Sequence, residues 1–396
     1  MNPLAVYVHI PFCTVKCGYC DFNAYAGLDG LKRSYRDALL AEIAGRRNDL
    51  SRHTVTSIAF GGGTPGEQPA EDLIAVIDAI RDCTGIASDA EISIEVNPGT
   101  TVEPYLRALQ SAGVNRVSIG AQSFDAQELQ FLDRIHSVQA IGATVLSARR
   151  ANIESVNIDL IFGLPGQTPR QWEANLEHAL GLGVDHVSAY ALTVEEGTRL
   201  GHRVSAGEVE MPSEDILADL YGIATARLEQ AGFHQYEISN WAATGHQSRH
   251  NRTYWEYGEY LGLGAGAHGF FEEERYENIA HPRQYITAAL AGPPGVIAEA
   301  YHPDRATAVI DFLALRLRLL EGFPLAEFKR RFGLDIDTVF GEPLGRALDA
   351  GLLNYHDRRL ALSQSGHLLH GEVVAQCLAY LRSHPGVLDG AAAAAR

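Results

Sequence analysis

The sequence predicts an α/β protein built on an incomplete (β/α)6, TIM-like barrel, followed by an irregular middle segment and a small C-terminal winged-helix-like α+β domain. Short apolar runs rich in β-branched residues alternate with amphipathic stretches through about residue 195. This alternation is typical of parallel strands joined by helical crossovers. The cysteines, the glycine-rich runs and the candidate polar ligands nearly all follow predicted strands. This favours a barrel, because residues from every strand end meet at its mouth.

The elements of the predicted barrel follow in chain order. Six strands are predicted over residues 5–9, 55–60, 91–96, 116–120, 155–162 and 186–191. The helices between them are predicted over residues 31–48, 70–82, 103–112, 138–151 and 169–182. A doubly wound sheet also fits this alternation, but its ligands gather at a switch point between a few strands.

The rest of the chain changes character twice. Residues 201–295 are less regular, and the segment GEYLGLGAGAHGFF is too glycine-rich for a helix, which indicates a backbone in close approach to another group. Beyond residue 301 we predict helices at 306–320, 324–332 and 338–350, a hairpin at 352–355 and 360–362, and a final helix. The predicted domains are a barrel (1–200), a barrel-associated segment (201–295), a winged-helix-like domain (301–385) and a disordered tail (386–396).

Composition excludes several classes of protein. The net charge of −17 argues against general binding to nucleic acid or to anionic membranes, because neutralising phosphates needs a surplus of Lys and Arg. No apolar run approaches the roughly 20 residues of a transmembrane helix, although transient membrane association stays open. With no recognisable signal peptide and five cysteines, an odd number, we expect a cytoplasmic protein.

Three cysteines lie close together after the first predicted strand. Cys13, Cys17 and Cys20 have the spacing C-x3-C-x2-C. Three thiolates can bind three irons of a [4Fe–4S] cluster and leave the fourth iron open to a small molecule. Structural zinc would need a fourth ligand, commonly from a second cysteine pair, and a disulfide here would be strained. We therefore predict an iron–sulfur site.

Other candidate ligand contacts stand at later strand ends. The glycines of GGGTP, residues 61–65, allow close backbone approach, although a plain turn is an equally good explanation. Glu95 could accept hydrogen bonds from ribose hydroxyls or an ammonium group, and a solvated carboxylate is the simpler alternative. Arg134, which lies in the helical stretch QELQFLDRIH, could pair with a ligand carboxylate or form a surface ion pair of little energetic value.

The cysteine motif, with Tyr19 just before its third cysteine, resembles that of radical S-adenosylmethionine (SAM) proteins. The resemblance implies that SAM chelates the open iron and that one electron cleaves it to a 5′-deoxyadenosyl radical. Tyr7, on the first strand, is expected to pack beside the cluster, and a core tyrosine is the alternative. The SAM pocket implied by the resemblance consists of Gly62, Gly63, Thr64, Glu95, Gln122, Arg134 and Asp159.

Within that superfamily, segments such as YVHIPFCTVKCGYCDFN, IDLIFGLPGQT, HNRTYW and GLGAGAHG resemble the HemN/HemW lineage. This lineage holds oxygen-independent coproporphyrinogen III dehydrogenases and HemW-type haem chaperones. The dehydrogenases carry a fourth cysteine where this chain has Phe22, and they have a long N-terminal extension. Both differences favour a haem chaperone. The dehydrogenase reaction and a radical SAM methyltransferase acting on tetrapyrroles are the alternatives, and no catalytic residue is assigned.

The resemblance adds haem to the expected cofactors, beside one [4Fe–4S] cluster and SAM. His250, in HNRTYW, is the best candidate haem contact, because imidazole is a common axial ligand and Tyr and Trp offer flat faces. A hydrogen-bonded loop histidine is an equally weighted explanation. His268 is a second candidate. Neither the haem acceptor nor the electron donor can be identified from the sequence.

Overall fold

The structure is a computed structural model that describes residues 2–391, and the chain forms two compact units. The first unit comprises the described residues up to His234 together with Ser239–His250 and Glu259–Ala300. The second comprises Gln235–Ile238, Asn251–Gly258 and the described residues from Tyr301 onward. Residues 201–295, predicted as one barrel-associated segment, contribute to both units.

Strands account for much of the first unit. The strands of the described chain are β1 (Asn2–Ile10), β2 (Phe12–Cys13), β3 (Tyr25–Ala26), β4 (His53–Gly62), β5 (Gly85–Val96), β6 (Arg116–Gln122), β7 (Ser155–Phe162), β8 (His186–Ala191), β9 (His234–Glu237), β10 (Asn240–Ala242), β11 (Tyr260–Leu263), β12 (His268–Phe271), β13 (Glu274–Asn278), β14 (Ile297–Tyr301), β15 (Phe323–Pro324), β16 (Leu353–His356) and β17 (Arg359–Leu362). All six predicted barrel strands are present.

Helices separate the barrel strands and dominate the second unit. The α-helices of the described chain are α1 (Lys32–Gly45), α2 (Arg47–Ser51), α3 (Ala70–Cys83), α4 (Glu103–Ser111), α5 (Ala126–Phe131), α6 (Val138–Arg150), α7 (Pro169–Gly181), α8 (Arg199–Ser205), α9 (Glu214–Gln230), α10 (Arg249–Trp255), α11 (Pro282–Ala291), α12 (Arg305–Arg316), α13 (Leu325–Phe332), α14 (Ile336–Asp349), α15 (Gln364–Leu368) and α16 (His370–Ser383). None of them is long and apolar enough to cross a bilayer.

The sheet of the first unit confirms the incomplete barrel. From β13 to β10 its strands are hydrogen-bonded in the order β13-β12-β11-β1-β4-β5-β6-β7-β8-β10. The six strands β1 and β4 to β8 pair in parallel, as helical crossovers require. Within the described residues no ladder joins β8 back to β1, because β11 occupies the outer edge of β1 and β10 that of β8. The array is therefore open.

The alternation of side chains along each strand separates an apolar layer from a polar interior. In β1, Leu4, Val6 and Val8 belong to the main hydrophobic core and are at most 1% exposed. The residues between them face the other way, so Tyr7 and Gly61 of the neighbouring strand meet inside the array. The barrel interior is consequently available for chemistry.

The glycine-rich segment forms β11, β12 and the turn between them, which sequence patterning did not predict as strands. A Cβ atom on Gly262 would collide with the carbonyl oxygen of His268. One on Gly264, which has a φ of +98°, would lie 2.5 Å from the carbonyl oxygen of His9. The close approach that the glycines indicated is therefore an approach to the protein's own backbone.

In the second unit, helices α12 to α14 and α16 accompany a small sheet in the order β15-β17-β16. The ring of Phe312 makes edge contacts with Phe323, Phe328 and Phe332 at centroid distances of 5.1–5.8 Å. The hairpin turns through Asp357 and Arg358, both with positive φ, the geometry of a type I′ turn. A 3-10 helix covers Pro385–Ala391, and the rest of the predicted tail, residues 392–396, lies outside the described residues.

We expect Glu42→Ala to lower the free energy of unfolding by about 3 kcal/mol, because it would leave several buried donors unpaired. The buried Glu42 carboxylate accepts hydrogen bonds from Tyr285 Oη (2.5 Å), Asn278 Nδ2 (2.7 Å) and the Gly264 amide (2.8 Å). Glu42→Gln retains one acceptor and should cost less. Urea denaturation provides the measurement, with the exposed Glu173→Ala as control. A loss below about 1 kcal/mol in Glu42→Ala would contradict this account.

Candidate functional site

The cysteine loop leaves the end of β1 and returns through a short parallel pairing. Phe12 pairs with Tyr25 and Cys13 with Ala26, so β2 and β3 close the base of the loop. Inside the loop, the Cys20 amide donates to the Cys17 carbonyl at 3.2 Å. All three cysteines are free and half-buried. The loop therefore presents three thiols at the carboxyl end of the barrel.

Polar side chains that follow β4 and α5 contact this loop. Cys13 Sγ lies 3.3 Å from Thr64 Oγ1, and Arg134 Nη1 donates to Cys17 Sγ at 3.4 Å. Burial raises the pKa of the Cys13 thiol to about 11 and raises that of Cys20 as well. Both thiols are consequently protonated at neutral pH in this arrangement, and binding a metal would release those protons.

The donor set fits a cluster better than a single metal ion. Among residues 2–391, no group of three or more His, Cys, Asp or Glu side chains is arranged around one ion. In a cubane each thiolate binds its own iron, so three cysteine sulfurs need not converge on one point. The loop thus fits three iron ligands and does not fit a four-ligand structural zinc site.

The GGGTP run lies along the backbone that leads into the cysteine loop. The Gly63 amide donates to the Ile10 carbonyl at 2.8 Å, and the Thr64 amide donates to the Phe12 carbonyl at 2.7 Å. A Cβ atom on Gly63 would lie 2.6 Å from that Phe12 oxygen, and Gly62 has a φ of +110°. These glycines therefore allow the close backbone contacts that fix the start of the cysteine loop. Any contact with a ligand would be an additional role.

Arg134 is a bridging residue rather than a surface ion pair. Its Nη2 donates to Asn97 Oδ1 at 2.5 Å and to the Gly120 carbonyl at 2.7 Å, while Nη1 reaches Cys17. Its buried Nε has no hydrogen-bond partner within the part of the chain that the structure describes. Burial raises the pKa of the nearby Tyr19, and the positive charge of this guanidinium only partly offsets that effect. One side chain thus joins the cysteine loop to the ends of β5 and β6.

Sequence reasoning missed two residues of this assembly. Asn97 Nδ2 donates to Thr64 Oγ1 at 2.9 Å, which connects Thr64 to Arg134. Asp133, with a φ of +54°, accepts hydrogen bonds from the Gly18 amide (3.1 Å) and from an arginine in α8 (2.6 Å). The signals for both were present, since Asn97 follows a strand and Asp133 precedes Arg134. Nothing in the sequence alone showed that their side chains meet the loop.

A second group of predicted residues meets inside the barrel mouth. Tyr7 and Glu95 lie on either side of Gly61, within 3.0 and 3.1 Å of the position that its Cβ would take. The Gly62 amide donates to Glu95 Oε2 at 3.3 Å. The Glu95 carboxylate is open to solvent from the mouth, yet the protein around it and the charge of Asp159 raise its pKa to about 7.

Asp159 connects this group to a polar network deeper in the barrel. Its carboxylate accepts hydrogen bonds from Ser118 Oγ (2.9 Å) and Asn157 Nδ2 (2.7 Å). The His186 Nδ1 donates in turn to Asn157 Oδ1 at 2.6 Å, and burial lowers the pKa of this histidine far enough to keep it neutral. Gln122 is held at the end of β6 with a φ of +66°. A Cβ atom on Gly120 would lie within 3.3 Å of both Gln122 and Arg134, so Gln122 is next to the group that holds the cysteine loop.

The two candidate haem histidines lie in very different surroundings. His250 is 2% exposed, its Nδ1 is 2.9 Å from Ser57 Oγ, and its amide donates to Glu91 Oε1 at 3.1 Å. Burial lowers the pKa of its imidazole to about 4. His268 begins β12 and is exposed. Of these two histidines, His268 is the one that haem iron could approach in this conformation.

Comparison with known proteins bears out the expected family. The Radical SAM superfamily model matches residues 7–179, and the HemN C-terminal domain model matches residues 304–369. The solved structure of coproporphyrinogen III oxidase (HemN) from Escherichia coli is similar with a TM-score of 0.82 and 24% identity, over 96% of this chain and 91% of that one. At this identity the similarity shows the fold.

Relatives of higher identity cover nearly the whole chain. Heme chaperone HemW of Mycobacterium tuberculosis is 40% identical over 382 residues, 94% of each protein. Heme chaperone HemW of Bacillus subtilis is 34% identical over 377 residues, 93% of this chain and 97% of that protein. With such identity maintained from the cysteine loop to the C-terminal domain, the chain belongs to the HemW family of radical SAM proteins.

Proposed function

We propose that this protein is a cytoplasmic haem chaperone that binds haem and passes it to an acceptor protein. The observation that carries the proposal is Phe22, which is 61% exposed beside the cysteine loop. It stands at the position where the resembling dehydrogenases have their fourth cysteine. The names of the HemW relatives, which cover the chain almost end to end, support the same assignment.

The scaffold is proposed to hold one [4Fe–4S] cluster on Cys13, Cys17 and Cys20, with SAM bound next to it. When bound, these groups supply one-electron chemistry at the SAM sulfonium. The protein's part is to place them. Arg134 and Asn97 tie the cysteine loop to two strand ends, and Glu95 offers a carboxylate to the cationic or hydroxyl groups of SAM.

His250 as the haem ligand stays a prediction. Its ring is enclosed by the barrel and hydrogen-bonded to Ser57, so haem could reach it only after the interior opened. The residue has a clear structural role in the observed arrangement, since its ring connects the start of α10 to Ser57 of β4 and its amide donates to Glu91 of β5.

Haem transfer is the direct test of the proposed function. The cluster-loaded protein should bind haem with a change in the Soret band and should give it up to an apo-haem protein added in excess. Under reducing, anaerobic conditions with SAM, the same preparation should leave coproporphyrinogen III unconverted. Formation of protoporphyrinogen would instead favour the dehydrogenase function. The absence of haem binding would exclude the haem-chaperone function.

Iron content tests the cluster ligands. Anaerobically reconstituted protein should contain about four irons per chain, and Cys13→Ala, Cys17→Ala and Cys20→Ala should each lose most of that iron. Cys83→Ala is the matched control, because Cys83 is buried in the core away from the loop. Full iron content in any of the three loop variants would exclude that cysteine as a required ligand.

The pH dependence of SAM binding tests Glu95. Its pKa of about 7 makes it a carboxylate mainly above pH 7, so SAM affinity should fall as the pH is lowered from 8 to 6. Glu95→Gln should bind SAM about tenfold more weakly at pH 8, because a charged hydrogen bond is lost. Its affinity should also vary less with pH. Equilibrium dialysis of the cluster-loaded protein measures both effects, with Glu173→Gln as control. An unchanged pH profile in Glu95→Gln would remove Glu95 from the site.

A further inference from the structure

A cavity of about 400 Å³ opens beside the cysteine loop, outside the barrel interior. We call it the Phe22 pocket. Its principal lining residues are Lys16, Phe22, Tyr25, His268 and Glu277. One wall follows the cysteine loop and the other follows the edge formed by β12 and β13. The cavity falls within the size range of small-molecule sites.

The base of the Phe22 pocket is tightly built. Asn23 Nδ2 donates to the carbonyls of Ala265 (3.0 Å) and Ala280 (2.9 Å), so one side chain joins both walls. The Asn23 carbonyl pairs with His9 Nε2 at 2.9 Å. A Cβ atom on Gly266, whose φ is +71°, would collide with the Asn23 side chain. The pocket is preformed, so a ligand would bind without first ordering its walls.

Two groups in the pocket suit a flat metal-containing ligand. Phe22 exposes 61% of its surface and presents an aromatic face to the pocket. His268 is exposed at the start of β12, opposite Glu277 in the ladder. Its imidazole has no hydrogen-bond partner in the described part of the chain. An aromatic face and an available imidazole are the contacts that haem uses.

The charges of the Phe22 pocket are unevenly placed, and this sets an orientation. Lys16 Nζ donates to the Phe22 carbonyl at 2.9 Å and brings a positive charge to the cysteine-loop wall. Asp21 and Glu277 contribute carboxylates. A haem propionate would be attracted toward Lys16 and repelled by the two carboxylates.

We propose that the Phe22 pocket is the haem site, with His268 bound to the iron, Phe22 against the macrocycle and Lys16 near a propionate. This inference rests on the proposed haem-chaperone function and specifies where on the protein haem binds. The cavity is open, so part of the macrocycle stays exposed, as direct transfer to an acceptor requires. The site is also separate from the surface formed by Glu95, Asp159 and Arg134.

The test is a titration of the cluster-loaded full chain with ferric haem and, separately, with metal-free protoporphyrin IX. His268→Ala should weaken ferric haem binding about tenfold or more and change the Soret band, while protoporphyrin binding is unchanged. Phe22→Ala should weaken both ligands. The matched controls are His202→Ala, an exposed histidine on α8, and Leu290→Ala, an exposed apolar residue on α11.

The outcomes separate this inference from the function on which it rests. If the wild-type chain binds haem and His268→Ala retains its affinity and Soret band, the pocket assignment is overturned while the chaperone stands. The same follows if His250→Ala, with its iron content and thermal unfolding preserved, is the variant that loses haem. If the wild-type chain binds no haem, both proposals fail.

Discussion

The functional end of this protein depends on how the cysteine loop is held, because only Tyr19 of the loop packs against a small apolar cluster and the cysteine sulfurs meet polar side chains. Arg134 solves this with one planar guanidinium that contacts a cysteine sulfur, a side-chain amide and a backbone carbonyl. Asn97 in turn donates a hydrogen bond to Thr64, and the Thr64 hydroxyl contacts the sulfur of Cys13. Thr64 and Asn97 follow β4 and β5, while Arg134 follows α5 and contacts the Gly120 carbonyl of β6, so three neighbouring strand–helix units position the loop. Losing any one of these side chains would leave a half-buried polar group without its partner.

The open barrel provides that positioning because its two faces have opposite chemistry. Residues such as Val6 and Val8 face the helices and supply hydrophobic burial, while the intervening residues turn polar groups into the interior. The interior polar groups are paired with one another, as Asp159 and Asn157 show. Glu95, at the mouth, is the less satisfied member, with one amide donor at 3.3 Å and a raised pKa. Such a group is suited to meeting a ligand.

Most of the architecture could be predicted from the pattern of the sequence. The six barrel strands and the helices between them were predicted close to their observed bounds. Each has a buried face, and the apolar residues of that face recur in the sequence with the period of a strand or of a helix. The glycine-rich segment was not predicted as strands. Its glycines allow β11 to pair beside β1, a contact between residues some 250 positions apart. The local sequence pattern does not show which distant strand will pair with this segment. Asn97 and Asp133 were not predicted as site residues for the same reason, since their contacts are with distant parts of the chain.

The sequence by itself determined the kind of site, since three cysteines at that spacing on a strand-end loop leave few alternatives. It also supplied Phe22, the residue that separates this chain from the dehydrogenases it resembles. Only the tertiary structure decided which histidine is accessible. His250 and His268 both lie in distinctive motifs, yet one is enclosed beside Ser57 and the other is exposed at a sheet edge. Exposure depends on what packs around a residue, and that is a property of the folded chain.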